Sequence, residues 1–380
     1  MSLLTYHDLV EHLITSSFGG PQDAEQKDIR SSVQRAVQEV AYIRDWRWYH
    51  THGRIIFDDT WNGTVTYAKN SRTVTRQSGD PFPLYAANGR LRIDEVVTRV
   101  QSRVSNDALI ADPTINHPED ILSPVPALLY RSFYPLPSDF RSIDSPIDQN
   151  FWTHFVFVEP DLAMKMELSQ DRQGPPHAWT VRKDPDSDRW AIQVIGYPVE
   201  VETLDFTYRR TPRMLRLSGH EVDSRKGTVS CSGTTVTGSG TGFTSSMVGS
   251  VIRFGTSADH PDTLGSLNPY QAEAKLTAVA SSTSATIDTP VAASGVKYIV
   301  TDPVDCSPGM ENCIYSAAEY WLARTRKDKA DDAFALYQRD LRLALESDQV
   351  APMAGTQRVI WDTTGWRTPL QSDNFDGGAP

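Results

Sequence analysis

Three kinds of residue pattern in this chain could support chemistry. Asp184-Pro185-Asp186-Ser187-Asp188 alternates carboxylates as the first ligands of a calcium-binding loop do. Such a loop also needs glycine at its sixth position and a bidentate carboxylate at its twelfth, where this chain has Arg189 and Ile195. The calcium reading fails at both, and a hairpin turn is expected instead. Gly238-Ser239-Gly240-Thr241-Gly242 has the glycine density of a phosphate cradle. A cradle needs a following helix and a lysine, whereas Phe243-Thr244-Ser245-Ser246-Met247 leads back toward a strand. The nine histidines are scattered. His7 and His12 do not form an H-E-x-x-H frame, and His50 and His52 have no cysteine or second carboxylate nearby in sequence to complete a zinc set. No G-x-S-x-G elbow or acid–base carboxylate pair stands out. No catalytic, cofactor-binding or metal-ligating residue is therefore assigned, and a non-enzymatic chain is expected.

The elements read as follows. Thr5 or Asp8 caps a short helix carrying Leu9, Val10, Leu13 and Ile14. After a break at Gly19-Gly20-Pro21, a second helix runs from about Asp23 to Arg44. Ile29, Val33, Ala36, Val37, Val40, Ala41 and Ile43 form its apolar stripe, with Lys27, Arg30, Arg35 and Glu39 opposite. Trp46-Arg47-Trp48-Tyr49 reads as a plug where a helix meets a sheet. From Gly53 to about Tyr208 the period becomes two, with short strands at 54–57, 64–67 and 90–93, buried strands at 155–158 and 190–195, and alternation over 199–208. Asn88-Gly89 is a hairpin signal, Asn62-Gly63-Thr64 a glycine turn, and 106–126 an irregular excursion. Residues 226–302 are rich in Ser, Thr and Gly and read as an inserted small β-sandwich or barrel, with a hairpin at Ser232-Gly233. A long helix follows Ser307-Pro308, striped by Ile314, Ala317, Ala318, Trp321 and Leu322 and then Phe334, Tyr337, Leu341 and Leu345. It has a solvated interval at Lys327-Asp328-Lys329 and needs a partner helix. The tail after Asp348 carries Trp361 and Trp366, which are expected to dock on a partner.

The expected fold class is α+β: a helical wedge from the N- and C-terminal helices, a β-rich middle domain, an inserted β module and an extended tail. The boundaries fall at 1–50, 51–225, 226–302, 303–347 and 348–380. At 380 residues the chain is long enough for two or three domains. Its formal charge of −11 disfavours gripping nucleic-acid phosphates, yet suits a wall that repels them. Three cysteines without paired spacing (Cys231, Cys306 and Cys313) argue against a disulfide framework and for synthesis in a reducing cytoplasm. No signal peptide and no membrane span are expected.

Four segments together resemble the long head-to-tail adaptor (connector or head-completion) proteins of tailed phages. They are Tyr134-Pro135-Leu136-Pro137-Ser138-Asp139-Phe140-Arg141; Asp205-Phe206-Thr207-Tyr208-Arg209-Arg210-Thr211-Pro212; the module from Gly227-Thr228-Val229 through Gly240-Thr241-Gly242-Phe243 to Met247-Val248-Gly249-Ser250-Val251-Ile252-Arg253-Phe254; and the long helix after Pro308. The resemblance implies a virion protein at the head–tail interface, made in the host cytoplasm. It implies a dodecameric homo-oligomeric ring, bound to the portal protein above and to tail or nozzle proteins below, through which DNA passes without sequence-specific binding. Val33, Val37, Val40, Trp321, Phe334, Tyr337, Leu341, Trp361 and Trp366 are the expected interface residues. The alternatives are a nozzle or tail-tube-associated protein and a carbohydrate-binding protein of the host surface. Residues 226–302 lack tryptophan, which speaks against the last.

Overall fold

The computed structural model describes residues 3–16, 23–87, 89–144, 156–168, 176–185, 187–197, 202–327 and 330–349. Trp361, Trp366 and all but the first two residues of the 348–380 tail lie outside these. The fold is mixed α+β with a β-rich middle.

Helix α1 (Tyr6–Ser16) starts with a reciprocal cap. The Thr5 backbone N–H and hydroxyl both donate to Asp8 Oδ2, at 2.9 and 2.8 Å. Helix α2 (Asp23–Ile43) follows the predicted stripe: Ile29, Val33, Ala36, Val37 and Val40 are all buried. The aromatic plug behaves as its sequence suggests. Trp46 and Tyr49 are buried beneath α2, and the Trp46 indole donates to Val40 O at 2.6 Å. Trp48 stays exposed and donates to Asp305.

Strand β1 (His50–Phe57) then begins the β-rich middle. Between it and the rest of its sheet lies a closed barrel that the sequence reading did not foresee. Its six strands are β2 (Trp61–Ala68), β3 (Thr73–Gly79), β4 (Arg90–Ile93), β5 (Val96–Arg103), β6 (Ala108–Ala111) and β7 (Ile121–Tyr130), ordered β2-β3-β6-β5-β4-β7. Closure leaves no edge strand. Tyr67, Val74, Leu91, Ile93, Val100, Leu109 and Leu129 fill it. Asn88 of the expected Asn88-Gly89 turn lies outside the described residues; the β4–β5 hairpin turns at Asp94-Glu95, with Asp94 in the left-handed region. One turn assignment in the barrel is corrected, that of Gly63. Gly63 lies inside β2, where a Cβ would come 2.4 Å from Ser78 O and 2.5 Å from the Trp61 ring. Gly63→Ala is therefore expected to destabilise the barrel by about 1–3 kcal/mol, the usual cost of overpacking. Trp61 near-UV dichroism during thermal unfolding checks it, and an unchanged melt would refute the close approach.

The remaining middle strands are β8 (Phe133–Pro135), β9 (Phe140–Ile143), β10 (Val156–Phe157), β11 (Ala178–Lys183), β12 (Trp190–Ile195) and β13 (Glu202–Arg210), with α3 (Pro160–Leu168) between β10 and β11. They form two sheets, β1-β13-β9 and β10-β11-β12-β8. Phe57, Phe140, Leu204 and Phe206 from one share a core with Tyr134, Trp179, Ile192 and Val194 from the other. The predicted buried strand at 155–158 is only two residues long among the described residues, and Val156 and Phe157 are exposed. It sits at the edge of its sheet, paired on one side.

After a short helix α4 (Val222–Arg225), the module is one open antiparallel sheet ordered β14-β17-β16-β15-β18. Its strands are β14 (Thr228–Ser239), β15 (Val251–Phe254), β16 (Ala272–Ser281), β17 (Ser284–Val296) and β18 (Tyr298–Thr301). It is neither a two-sheet sandwich nor a closed barrel. The expected hairpin at Ser232-Gly233 is absent: β14 runs straight through and pairs with β17 on both sides of a register shift.

The predicted long C-terminal helix is instead a helical hairpin, α5 (Glu311–Arg326) and α6 (Asp331–Gln349). Lys327 adopts the left-handed conformation at the α5 C-cap and its N–H closes onto Ala323 and Arg324. Folding back brings Phe334 and Tyr337 against Tyr320. It also lets α5 lie on α2, so the partner helix comes from the same chain. Glu39, expected on the solvent side of α2, instead accepts hydrogen bonds from the Trp321 indole and the Tyr337 hydroxyl. Burial and the Glu39 charge hold that phenol protonated, well above its usual range.

Candidate functional site

The expected interface residues separate into two groups. Val33, Val37, Val40 and Tyr337 are sealed inside the helical core of their own chain, with Trp321 and Leu341 packed against it. The buried four offer no surface to a neighbour, because the α2–α5–α6 packing uses their faces. Phe334 keeps 40% of its surface, and Leu343, not singled out in the sequence, keeps 57%. Tyr42 and Ile43 at the end of α2 are also exposed.

The densest polar chemistry lies where α1 meets the β module. Arg253 of β15 is wholly buried, yet carries a full charge into the junction. Its guanidinium donates to both Asp8 oxygens at 2.7 and 2.9 Å, pairs with Glu273 at 3.3 Å, and lies over the Tyr270 ring. Burial alone would lower its pKa; the Asp8 hydrogen bond and the two carboxylates outweigh that and raise it. Asp302, at the end of β18, is equally buried. It accepts from Arg213 Nη2 (2.9 Å), Ser250 Oγ (2.7 Å) and the backbone N–H groups of Arg216 (2.6 Å) and Leu217 (2.9 Å). Nearby, Asp305 takes a two-pronged contact from Arg210 at 2.5 and 2.8 Å. These acids tie the helices, the 211–217 segment and the module together.

Two clusters combine histidine with carboxylates. At the first, Asp45 and Asp144 each take one ring nitrogen of His50, at 3.1 and 2.6 Å, and Arg209 pairs with both acids. Both nitrogens are thus engaged and a cation already balances the acids, so this is an ion-pair network. At the second, His7, Glu11 and His220 bring three ligand-type atoms within 4.8 Å of one another. A cleft of about 490 Å³ opens beside them, with Glu11, His12, Asp262 and Tyr315 in its wall. In the sequence His7 is one of nine scattered histidines. Its i, i+4 relation to Glu11 on α1 was available as a signal; the approach of His220 was not.

The motifs rejected in the sequence have structural roles. Asp184 and Asp188 close the β11–β12 hairpin through Asp188 N–H to Asp184 O at 3.0 Å. Gly238 and Phe243 donate their N–H groups to Thr283 O and Ser282 O. The three cysteines are free. Burial, first, and neighbouring acids push the Cys306 and Cys313 thiols up to about 12, which keeps them from reacting as thiolates. Among the described residues no helix is long and apolar enough to cross a membrane.

Comparisons of the chain with protein-family models, with curated proteins and with solved structures find no match.

Proposed function

We propose that this chain is a structural, non-enzymatic subunit of a tailed-phage virion, a head-to-tail adaptor that assembles into a ring between portal and tail. The observation that carries the reading is the joining of the two ends of the described chain. Helices α1 and α2 from one end and α5 and α6 from the other share a single core, on which a barrel, a two-sheet unit and the module are mounted. In this reading the helices form a wedge in the ring wall, a dodecamer as the family resemblance implies. The −11 charge keeps the channel from trapping DNA in transit. The tail with Trp361 and Trp366 reaches onto portal or an adjacent subunit.

On α6, Phe334 and Leu343 keep exposed faces that can contact a neighbour. Leu343→Ser is expected to weaken ring assembly about 10-fold or more, the effect of losing an interface anchor, with little change in monomer stability, whereas Phe334→Ser also loses its contact with the Tyr320 ring. Native mass determination of the purified chain, alone and with portal, provides the test. A closed ring, or a ring formed only on portal, supports the adaptor. A chain that ignores portal and joins tail proteins belongs in the nozzle instead; one that ignores both overturns the structural reading. Truncation after Asp348 is expected to weaken portal binding in the same assay.

A further inference from the structure

We propose that His7, Glu11 and His220 form a binding site for a divalent transition-metal ion of the zinc type, pinning α1 to the segment that leads into the β module. His7 and Glu11 stand one helical turn apart on α1 and so share a face. His7 is 96% buried, and its Nε2 makes no hydrogen bond of normal length, with Asp262 Oδ1 3.6 Å away. A buried imidazole nitrogen in that state needs a reason.

The other ring nitrogen supplies half of that reason. His7 Nδ1 lies 3.1 Å from Ser218 O, and a carbonyl can only accept. Nδ1 therefore carries the hydrogen, which leaves Nε2 as the ring nitrogen available to a metal in the His7–Glu11–His220 cluster. A backbone carbonyl holding the far nitrogen is the usual means by which a metal-binding histidine is oriented.

The other two ligands are also held in place. His220 Nε2 is buried and lies 3.0 Å from Glu11 Oε1, yet in an orientation that makes no hydrogen bond. Tetrahedral zinc with bonds of about 2.0–2.1 Å separates its ligand atoms by about 3.3 Å, close to that contact. The segment before His220 is fixed by Glu221, whose carboxylate accepts from the Ser218 and Gly219 N–H groups at 3.1 and 3.0 Å. Gly219 has φ +83, and a side chain there would press on the His7 ring at 3.1 Å. The backbone is thus shaped to carry His220 past His7. Asp262 Oδ1, 3.6 Å from His7 Nε2, stands on the cleft side, where a fourth ligand or a water enters. Two imidazoles and a carboxylate suit zinc, cobalt(II) or nickel(II) better than calcium or magnesium, which prefer all-oxygen shells.

The test is titration of the untagged, metal-free full chain with Zn²⁺ by calorimetry and with Co²⁺ by visible absorption. The expected result is one ion per chain and the intense bands of four-coordinate cobalt. Glu11→Gln and His220→Asn should each weaken binding at least about 10-fold, since even outer partners of metal ligands are worth about 10–100-fold. His50→Asn, in the other histidine–carboxylate cluster, should leave binding unchanged. Circular dichroism of each variant separates lost ligands from lost fold. The cobalt spectrum of the unaltered chain also decides independently of any variant. Absence of binding, a six-coordinate spectrum, or affinity that folded Glu11→Gln and His220→Asn chains retain would overturn the proposal.

Discussion

Replacing Asp8 with alanine is expected to lower stability by about 3–5 kcal/mol, the range for breaking a buried ion pair by removing one partner. The variant leaves the Arg253 guanidinium wholly buried, with only Glu273, Leu3 O and the Tyr270 ring near it. It also removes the cap on α1, a further ~1 kcal/mol. Arg253→Met is expected to cost less, because the Asp8 carboxylate keeps two donors from Thr5. Urea unfolding of both variants, followed by far-UV circular dichroism, gives the order. An Asp8→Ala chain within 1 kcal/mol of the parent, or an Arg253→Met chain that is the weaker of the two, would refute this account of the junction.

Asp302→Asn is the second large effect expected. The carboxylate serves two side chains and two backbone N–H groups from one fully buried position. An amide of the same shape replaces one acceptor oxygen by an NH₂ group aimed at other donors. At least one buried donor loses its partner, and Arg213 loses its counter-charge. A loss of about 3 kcal/mol or more is expected, which speeds exchange by opening ~100-fold. Hydrogen exchange at the Arg216 and Leu217 amides reads it directly. Exchange at the parent rate would mean that these amides do not depend on Asp302.

What the sequence displayed and what it concealed have physical causes. Helices α1 and α2 were legible because Leu9, Leu13, Val33, Val37 and Val40 repeat at helical spacing on a buried face. Strand β12 was legible because an apolar run of its length is buried on both sides. The barrel was concealed because Pro124 and Pro126 lie inside β7, and proline reads as a strand breaker. The α5–α6 turn was concealed because Lys327 does the work of a C-cap that glycine usually does. Glu39 misled because a charged residue on a helix suggests solvent, whereas two aromatic donors from α5 and α6 hold it inward. At the histidine cluster, His7 and Glu11 were one helical turn apart in plain view. His220, in the segment before α4, and Asp262, in a loop of the module, join them only through tertiary packing, which no local pattern encodes.

The sharing of one core by α1, α2, α5 and α6 also sets an order of events during synthesis. The apolar stripe of α2 leaves the ribosome about 270 residues before α5 does, a wait of roughly 15–50 s at about 5–20 residues per second. The barrel and the module contain all their own strands and can fold within that interval. The N-terminal helices cannot complete their packing until the last part of the chain appears. Val33, Val37 and Val40 are then the surface that a chaperone would have to shield.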